Sequence, residues 1–313
     1  MSELKQALRA WNAREVRLIK DRENAVYEVR IGGTRAALRL HRPGYQTEAA
    51  IRSEITWMGA LAEAGMSVPA PVPTPGGEQV VTLSTGRLAT VVSWVGGSPI
   101  GESGVPLEGS EADQVRLFHT LGREVARMHN LTDAMDLPEG FDRHAWDLDG
   151  LLGETPFWGR FWESPALTAQ ERHLVNRARA VARDRAQAFA ENGADFGLIH
   201  ADVLRENAFV KEGAITLIDF DDAGFGFRLY DIAVMLSQNE EEPHYPAIRA
   251  AVIAGYRELR DLSGEAEELL DMFLMLRRFA SMGWAVPRHQ EDSAVLRLYT
   301  ERAVRAARAF LAG

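Results

Sequence analysis

Three side chains suited to phosphate chemistry share one stretch, LIHADVLRENAFVKEGAITLIDFDDAGFGFRLYD, between Leu198 and Asp231. Asp202 stands two residues after His200, Asn207 follows it within the same loop, and Asp219 comes after two short apolar segments. Phosphoryl transfer asks for little covalent help. It needs the phosphates held in line and their charge neutralised. Asp202 can accept the proton of an attacking hydroxyl, while Asn207 and Asp219 carry the hard oxygens that magnesium prefers. Asp219 ends the apolar run TLIDF, which predicts a rigidly mounted carboxylate. His200 is expected to orient the loop by hydrogen bonding. Singly, each of these is an ordinary turn residue. Their joint placement behind two apolar strands predicts Mg-ATP chemistry on a hydroxyl acceptor.

The elements that must position these groups are readable from periodicity. Leu4, Leu8 and Trp11 fall at helical spacing. VRLIK, AVYEVRI and RAALRLH read as three strands, the last two joined by a GlyGly turn at Gly32 and Gly33. Residues 47–64 predict a helix with Ile51, Ile55, Met58 and Ala62 on one face. A Pro-rich extended segment, VPAPVPTP, precedes two more strands, EQVVTLS and LATVVSW, and a break at Gly96 and Gly97. Beyond it the pattern turns helical, over 111–130, 167–191, 244–260, 266–284 and 291–311, with the Leu198–Asp231 stretch inside this part. The sequence therefore predicts a small sheet-plus-helix lobe at 1–92, a connector at 93–97 and a larger helical lobe at 98–313.

Composition narrows the function classes. Charged residues are 26% and hydrophobic residues 46% of 313, as in an ordinary globular chain. Lys and Arg number 35 against 45 Asp and Glu, a net charge of −10 without a basic stripe, so nucleic acid is not the expected partner. There is no cysteine, which excludes disulfides and thiolate chemistry. The opening MSELKQALRAWN lacks the apolar core of a secretory signal, and no apolar run approaches the ~18 residues of a membrane span. A soluble, cytoplasmic protein is expected.

The spacing His200-x-Asp202-x4-Asn207, with Asp219 after a hairpin, resembles the aminoglycoside phosphotransferase-like family, which shares the protein-kinase-like fold with choline and homoserine kinases. IHADVLRENAFV is similar to that family's HxDxxxxN loop, LIDFDDAG to its metal-binding strand end, and RLYDIA to the helix start that follows. ENAVYEV, LRLHRPG, SWVGG and ARMHN extend the resemblance over nearly the whole chain. It implies an α+β, bilobal fold with Asp202 as catalytic base and Asn207 and Asp219 as Mg²⁺ ligands. It also implies ATP bound by the N-terminal lobe.

There the pattern departs from protein kinases. No GxGxxG is present, and the loop DRENAV has no glycine, so Asn24 and its neighbours are expected to cover the phosphates through backbone N–H groups. Arg39, in ALRLH, stands where kinases generally carry a phosphate-binding lysine. Glu54 or Glu48 can orient it, Glu54 matching the family position better. Ser93 and Val95 are expected to meet adenine at the connector, unless VVSWV is only a buried strand with Trp94 in the core.

Other polar groups carry two readings each. Asp221 and Asp222 either assist metal or substrate or cap the turn before Gly224. The run Glu240–Glu242 either attracts a cation or is solvated surface. His129 reads as structural. Phe157, Trp158, Phe161 and Trp162, spaced for a helix face, either pack in the core or line an acceptor pocket. The acceptor is expected to be a small hydroxylated molecule resembling an aminoglycoside, homoserine or an amino alcohol. A Ser/Thr protein kinase, or a pseudokinase that binds nucleotide without turnover, are the alternatives.

Overall fold

Residues 2–21, 24–290 and 292–313 are described by the computed structural model, so Arg22 and Glu23 of the DRENAV loop lie outside the described residues. The chain is a mixed α+β protein and packs as two compact units. The first comprises 1–99, 134–143 and 207–221; the second comprises 100–133, 144–206 and 222–313.

The first unit is built on a five-stranded antiparallel sheet. Helix α1 (Glu3–Ala10) leads into β1 (Arg14–Asp21), β2 (Ala25–Ile31) and β3 (Thr34–Leu40), followed by α2 (Glu48–Glu63), β4 (Val80–Thr82) and β5 (Leu88–Ser93), in the order β1-β2-β3-β5-β4. Gly32 and Gly33 close the β2–β3 hairpin with φ of 55° and 89°, a left-handed pair that side chains resist. Alternation then sorts β3 between the sheet's two faces. Ala36, Leu38 and Leu40 pack with Ala7 and Trp11 of the opening segment. The intervening residues, Arg39 among them, face the other way, where Ile51 and Ile55 of α2 meet Val80. Thr47 caps α2, its hydroxyl accepting from Ala50 N at 3.0 Å.

A short strand β6 (Ser98–Pro99) pairs with β9 (Ala208–Lys211), which forms a hairpin with β10 (Ala214–Leu217). Gly97 (φ 92°) lets the chain reach this pairing, since a Cβ there would lie 2.3 Å from Val210 O. The hairpin thus packs in the first unit as part of 207–221, although the chain before 207 and after 221 belongs to the second.

The second unit is mainly helical: α3 (Glu111–Asp133), α4 (Leu148–Leu152), α5 (Ala169–Glu191), α6 (Arg228–Ser237), α7 (Tyr245–Arg257), α8 (Gly264–Ala285) and α9 (Ala294–Ala312). Its small sheet joins β7 (Ala145–Trp146), β11 (Gly224–Phe227) and β8 (Phe196–Ile199). Helix α6 is buried along its whole length. The expected helical face over Phe157–Trp162 is instead two turns, because Pro156 and Gly159 (φ 100°) interrupt it before a single 3₁₀ turn at Phe161–Glu163. Among the described residues no helix is long and apolar enough to cross a membrane.

Candidate active site

In the first unit, Arg39 joins two carboxylates. Its Nη1 donates to Glu54 Oε1 at 3.1 Å, and its Nη2 to Asp219 Oδ1 at 3.0 Å. Glu54 comes from the buried stripe of α2, 2% exposed, whereas Glu48 is spent on an exposed pair with Arg52. Helical phase decides between the two: Glu54 shares the inward stripe of Ile51 and Ile55. Burial pushes the Glu54 carboxyl up to about 7, against the pull of Arg39.

Asn207 and Asp219 flank the open end of the β9–β10 hairpin. The register pairs Ala208 with Leu217, and one step further Ile218 N donates to Asn207 O at 2.9 Å. Asp219 was expected at a strand end; it lies two residues past β10 in a left-handed conformation (φ 65°). That backbone costs on the order of 1 kcal/mol for a non-glycine residue, and such strain concentrates at functional sites.

Asn24 and Asp221 are tied to each other. Asn24 Nδ2 donates to Asp221 Oδ2 at 3.1 Å, and Asn24 Oδ1 accepts from Arg42 N at 2.8 Å. The Asn24 side chain is thus engaged within the protein. Burial raises the Asp221 carboxyl above its ordinary range. Arg143, which the sequence did not single out, holds this turn by donating to Asp221 O at 2.6 Å, Phe220 O at 3.1 Å and Ala50 O at 3.0 Å.

Three carboxyls, Glu54, Asp219 and Asp221, therefore face two guanidiniums, Arg39 and Arg143, a surplus of acidic groups over cations in which the pKa values of Glu54 and Asp221 are held up. Glu54 Oε2 is buried without a hydrogen-bond donor. This surplus, with a carboxylate and an amide oxygen at the hairpin end, fits a hard divalent cation.

Ser93 is the last residue of β5. Its N–H donates to Ala70 O at 2.8 Å and its hydroxyl accepts from Ala70 N at 2.9 Å. Trp94 is half-buried, with the Arg35 guanidinium 4.0 Å above its ring, and so is not a core residue; Val95 is half-buried beside it.

In the second unit, Asp202 sits in a loop pinned from two helices. His200 is fully buried, and its Nδ1 accepts from Asp202 N at 3.3 Å. From α6, Asp231 accepts from His200 N at 2.9 Å and Ala201 N at 2.6 Å. Ala201 has φ 61°, so this carboxylate stabilises a backbone turn that alanine resists. From α8, Arg277 Nη2 donates to Asp202 Oδ1 at 2.7 Å. Neither Asp231 nor Arg277 was identified from sequence; a lone Asp within the apolar run LYDIAVML is the available signal for the first, whereas Arg277 is masked by its neighbour Arg278.

Beneath Asp231 lies His129, 3.0 Å away through Nε2, with Tyr256 Oη 2.8 Å from Nδ1. A carboxylate only accepts, so Nε2 carries the proton and Nδ1 accepts from the tyrosine. Burial drives His129 down to about 4 despite the Asp231 hydrogen bond. It is a structural residue, neutral at pH 7.

Two tests follow from this anchor. Asp231→Ala leaves two backbone N–H groups and an imidazole buried without their acceptor, and should cost about 3 kcal/mol or more in urea unfolding; a loss under 1 kcal/mol would remove Asp231 from this role. His129 contributes an acid sensitivity. Because its folded pKa of about 4 lies below the ordinary 6.5, the unfolded chain binds the proton more readily between those values. Stability is full above 6.5 and falls as pH drops toward 4, by on the order of 3 kcal/mol. Glu54, raised to about 7, acts in the opposite sense, its contribution declining as pH rises through 7. Comparing His129→Gln with wild type across pH 4–7 isolates the histidine; identical slopes would refute its contribution.

The remaining polar candidates are absorbed by packing. Glu240 pairs with Arg278, Glu241 with Arg305, and Glu242 with the buried Arg205 at 2.6 Å, so each member of the acidic run is paired with an arginine. Phe157 stacks on His144, Phe161 on Phe279, and Trp146 contacts both Trp158 and Tyr230. Asp222 O accepts from His144 and Trp146, and Asp222 Oδ1 accepts from Trp158 Nε1 at 3.2 Å.

Comparison with known proteins converges on one family. The model of the phosphotransferase enzyme family matches residues 15–273. An amicoumacin kinase of Bacillus subtilis is 28% identical over 71% of this chain and 62% of its own length. A homoserine kinase of Sinorhizobium medicae is 30% identical over 69% of this chain and 61% of its own. The chain thus spans about three fifths of these relatives. The solved structure of a microcompartment-associated aminopropanol kinase superposes with a TM-score of 0.84 and 32% identity, over 99% of this chain and 97% of that one.

Proposed function

The chain belongs to the phosphotransferase enzyme family, and from that premise we propose that it transfers the γ-phosphoryl group of ATP to a hydroxyl of a small molecule. The observation that carries this reading is the held carboxylate of Asp202, on a loop pinned by Asp231 and Arg277. In the proposed step the acceptor oxygen bonds to the γ-phosphorus, the bond to the β–γ bridging oxygen breaks, and Asp202 takes the hydroxyl proton. ADP leaves. Since the transition state is loose, Asp202 is needed more to orient the hydroxyl than to ionise it early.

Residues 1–92 are assigned the nucleotide, 93–97 the connector, and 98–313 the acceptor. Arg39, held by Glu54, meets the phosphates, and its two-pronged donor geometry suits them. Backbone around Asn24 covers them. Because the Ser93 N–H is engaged by Ala70, the donor offered to adenine falls on Val95. Asn207 and Asp219 would hold Mg²⁺, which would supply neutralisation of the phosphate charge. Two of these proteins are named for aminopropanol and homoserine, so amino alcohols and hydroxy amino acids head the acceptor list. The cytoplasm, where ATP and Mg²⁺ are abundant, is the proposed setting.

The test is ADP release with and without Mg²⁺ across 1-amino-2-propanol, ethanolamine, homoserine, kanamycin and simple sugars. An acceptor that accelerates release only with the metal supports the assignment. Mg-ATP binding with silence across the panel points to a protein acceptor; no ATP binding overturns the reading.

A further inference from the structure

The group that holds Asp202 is unusually committed to it. Arg277 is buried, its side chain 5% exposed, and it pairs with Asp202 Oδ1 at 2.7 Å. Its second terminal nitrogen, Nη1, donates to Ala201 O at 3.2 Å, so one guanidinium grips both the carboxylate and the carbonyl just before it. The guanidinium carbon lies 4.8 Å from the centroid of the Trp158 ring, whose edge is fixed in turn by Asp222. The buried Tyr230 hydroxyl sits beside it. A planar cation held through both terminal nitrogens and against the Trp158 ring cannot swing away at low cost, and it sets the plane of the carboxylate it grips.

This arrangement bears directly on the reaction. A carboxylate that orients a hydroxyl must hold its own rotamer, because misplacement of about 1 Å can cost ~10²-fold in rate. Asp231 cannot do this, since its contacts are to the loop backbone and to His129. Arg277 contacts the carboxylate itself.

We propose that Arg277 is the positioning residue for Asp202, fixing the orientation of the carboxylate that receives the acceptor's hydroxyl. The proposal rests on the kinase reading above. It separates Arg277 from a merely structural arginine, because its effect must pass through Asp202.

The experiment is a double-mutant cycle over Asp202→Asn and Arg277→Met, with Arg277→Lys as the conservative control, using MgATP and 1-amino-2-propanol or whichever panel compound is turned over. Arg277→Met should lower kcat by ~10²-fold while the KM for ATP changes less than about twofold, and Arg277→Lys should recover part of kcat. Added to Asp202→Asn, Arg277→Met should cost less than about threefold more, since no carboxylate remains to be positioned. Near-wild-type kcat in Arg277→Met, or losses that multiply in the double variant, would overturn the proposal. Should Arg277→Met fail to fold, the cycle runs with Arg277→Lys, whose smaller loss in kcat should likewise vanish in the Asp202→Asn background; a loss that multiplies there would overturn the proposal. A second arm needs no turnover. Asp202→Ala strands a buried cation and should lower Tm, and adding Arg277→Met should restore part of the loss. Absence of activity in the wild type with this thermal coupling intact would fault the kinase reading alone. Absence of the coupling would fault the pair.

Discussion

Asp202→Ala should lower kcat by ~10²–10⁴-fold, the usual scale for a lost general base, with little change in ATP affinity. The residue lies in the second unit, where its carboxylate accepts from Arg277, while the nucleotide is assigned to residues 1–92. Its loss should therefore show with acceptor present and spare nucleotide binding. Alanine also leaves Arg277 without its carboxylate, so Asp202→Asn, which keeps the shape, must be measured beside it. Steady-state kinetics with the panel's best acceptor give the answer. A rate within threefold of wild type in both variants would remove Asp202 from the chemistry.

Asp219→Ala should be worse, at roughly 10³-fold or more in kcat, and should weaken Mg-ATP binding as well. Asp219 is tied to Arg39 at 3.0 Å and held in a left-handed backbone at φ 65°. Removing it strips a hard oxygen from the hairpin end and one carboxylate from Arg39, which keeps Glu54. Two readouts separate these losses. Calorimetric titration of ATP with Mg²⁺ reports the metal-dependent part, and the same titration in EDTA reports what Arg39 contributes alone. Unchanged affinity in both, with normal turnover, would leave Asp219 with no place in the site. The contrast is diagnostic: Asp202→Ala spares nucleotide binding and Asp219→Ala does not.

Much of this was legible before any coordinates. The α2 and α3 helices follow apolar stripes at 3.6-residue spacing, α5, α7, α8 and α9 fall within the ranges read as helical, and the β2–β3 hairpin follows its two glycines. Helix α6 was visible only at its start, because burial on every side erases the stripe that periodicity detects. Strands of two residues, β6 and β7, carry no periodic signal at all. The aromatic run at Phe157–Trp162 misled because helical spacing says nothing of the proline and glycine that break the helix.

What the sequence by itself determined is the chemistry offered. Asp202, Asn207 and Asp219 stand in order within eighteen positions, where local spacing alone constrains them. What only the tertiary structure decided is who holds each of them. Arg277 reaches Asp202 across 75 positions, Asp231 reaches Ala201 across 30, and Arg39 reaches Asp219 across 180. Such pairs leave no local signature, since any arginine or aspartate on a helix or strand could serve. Packing chooses the partner. A charge driven inside with its element must find its opposite there, and it is the folded interior that brings the two within hydrogen-bonding distance.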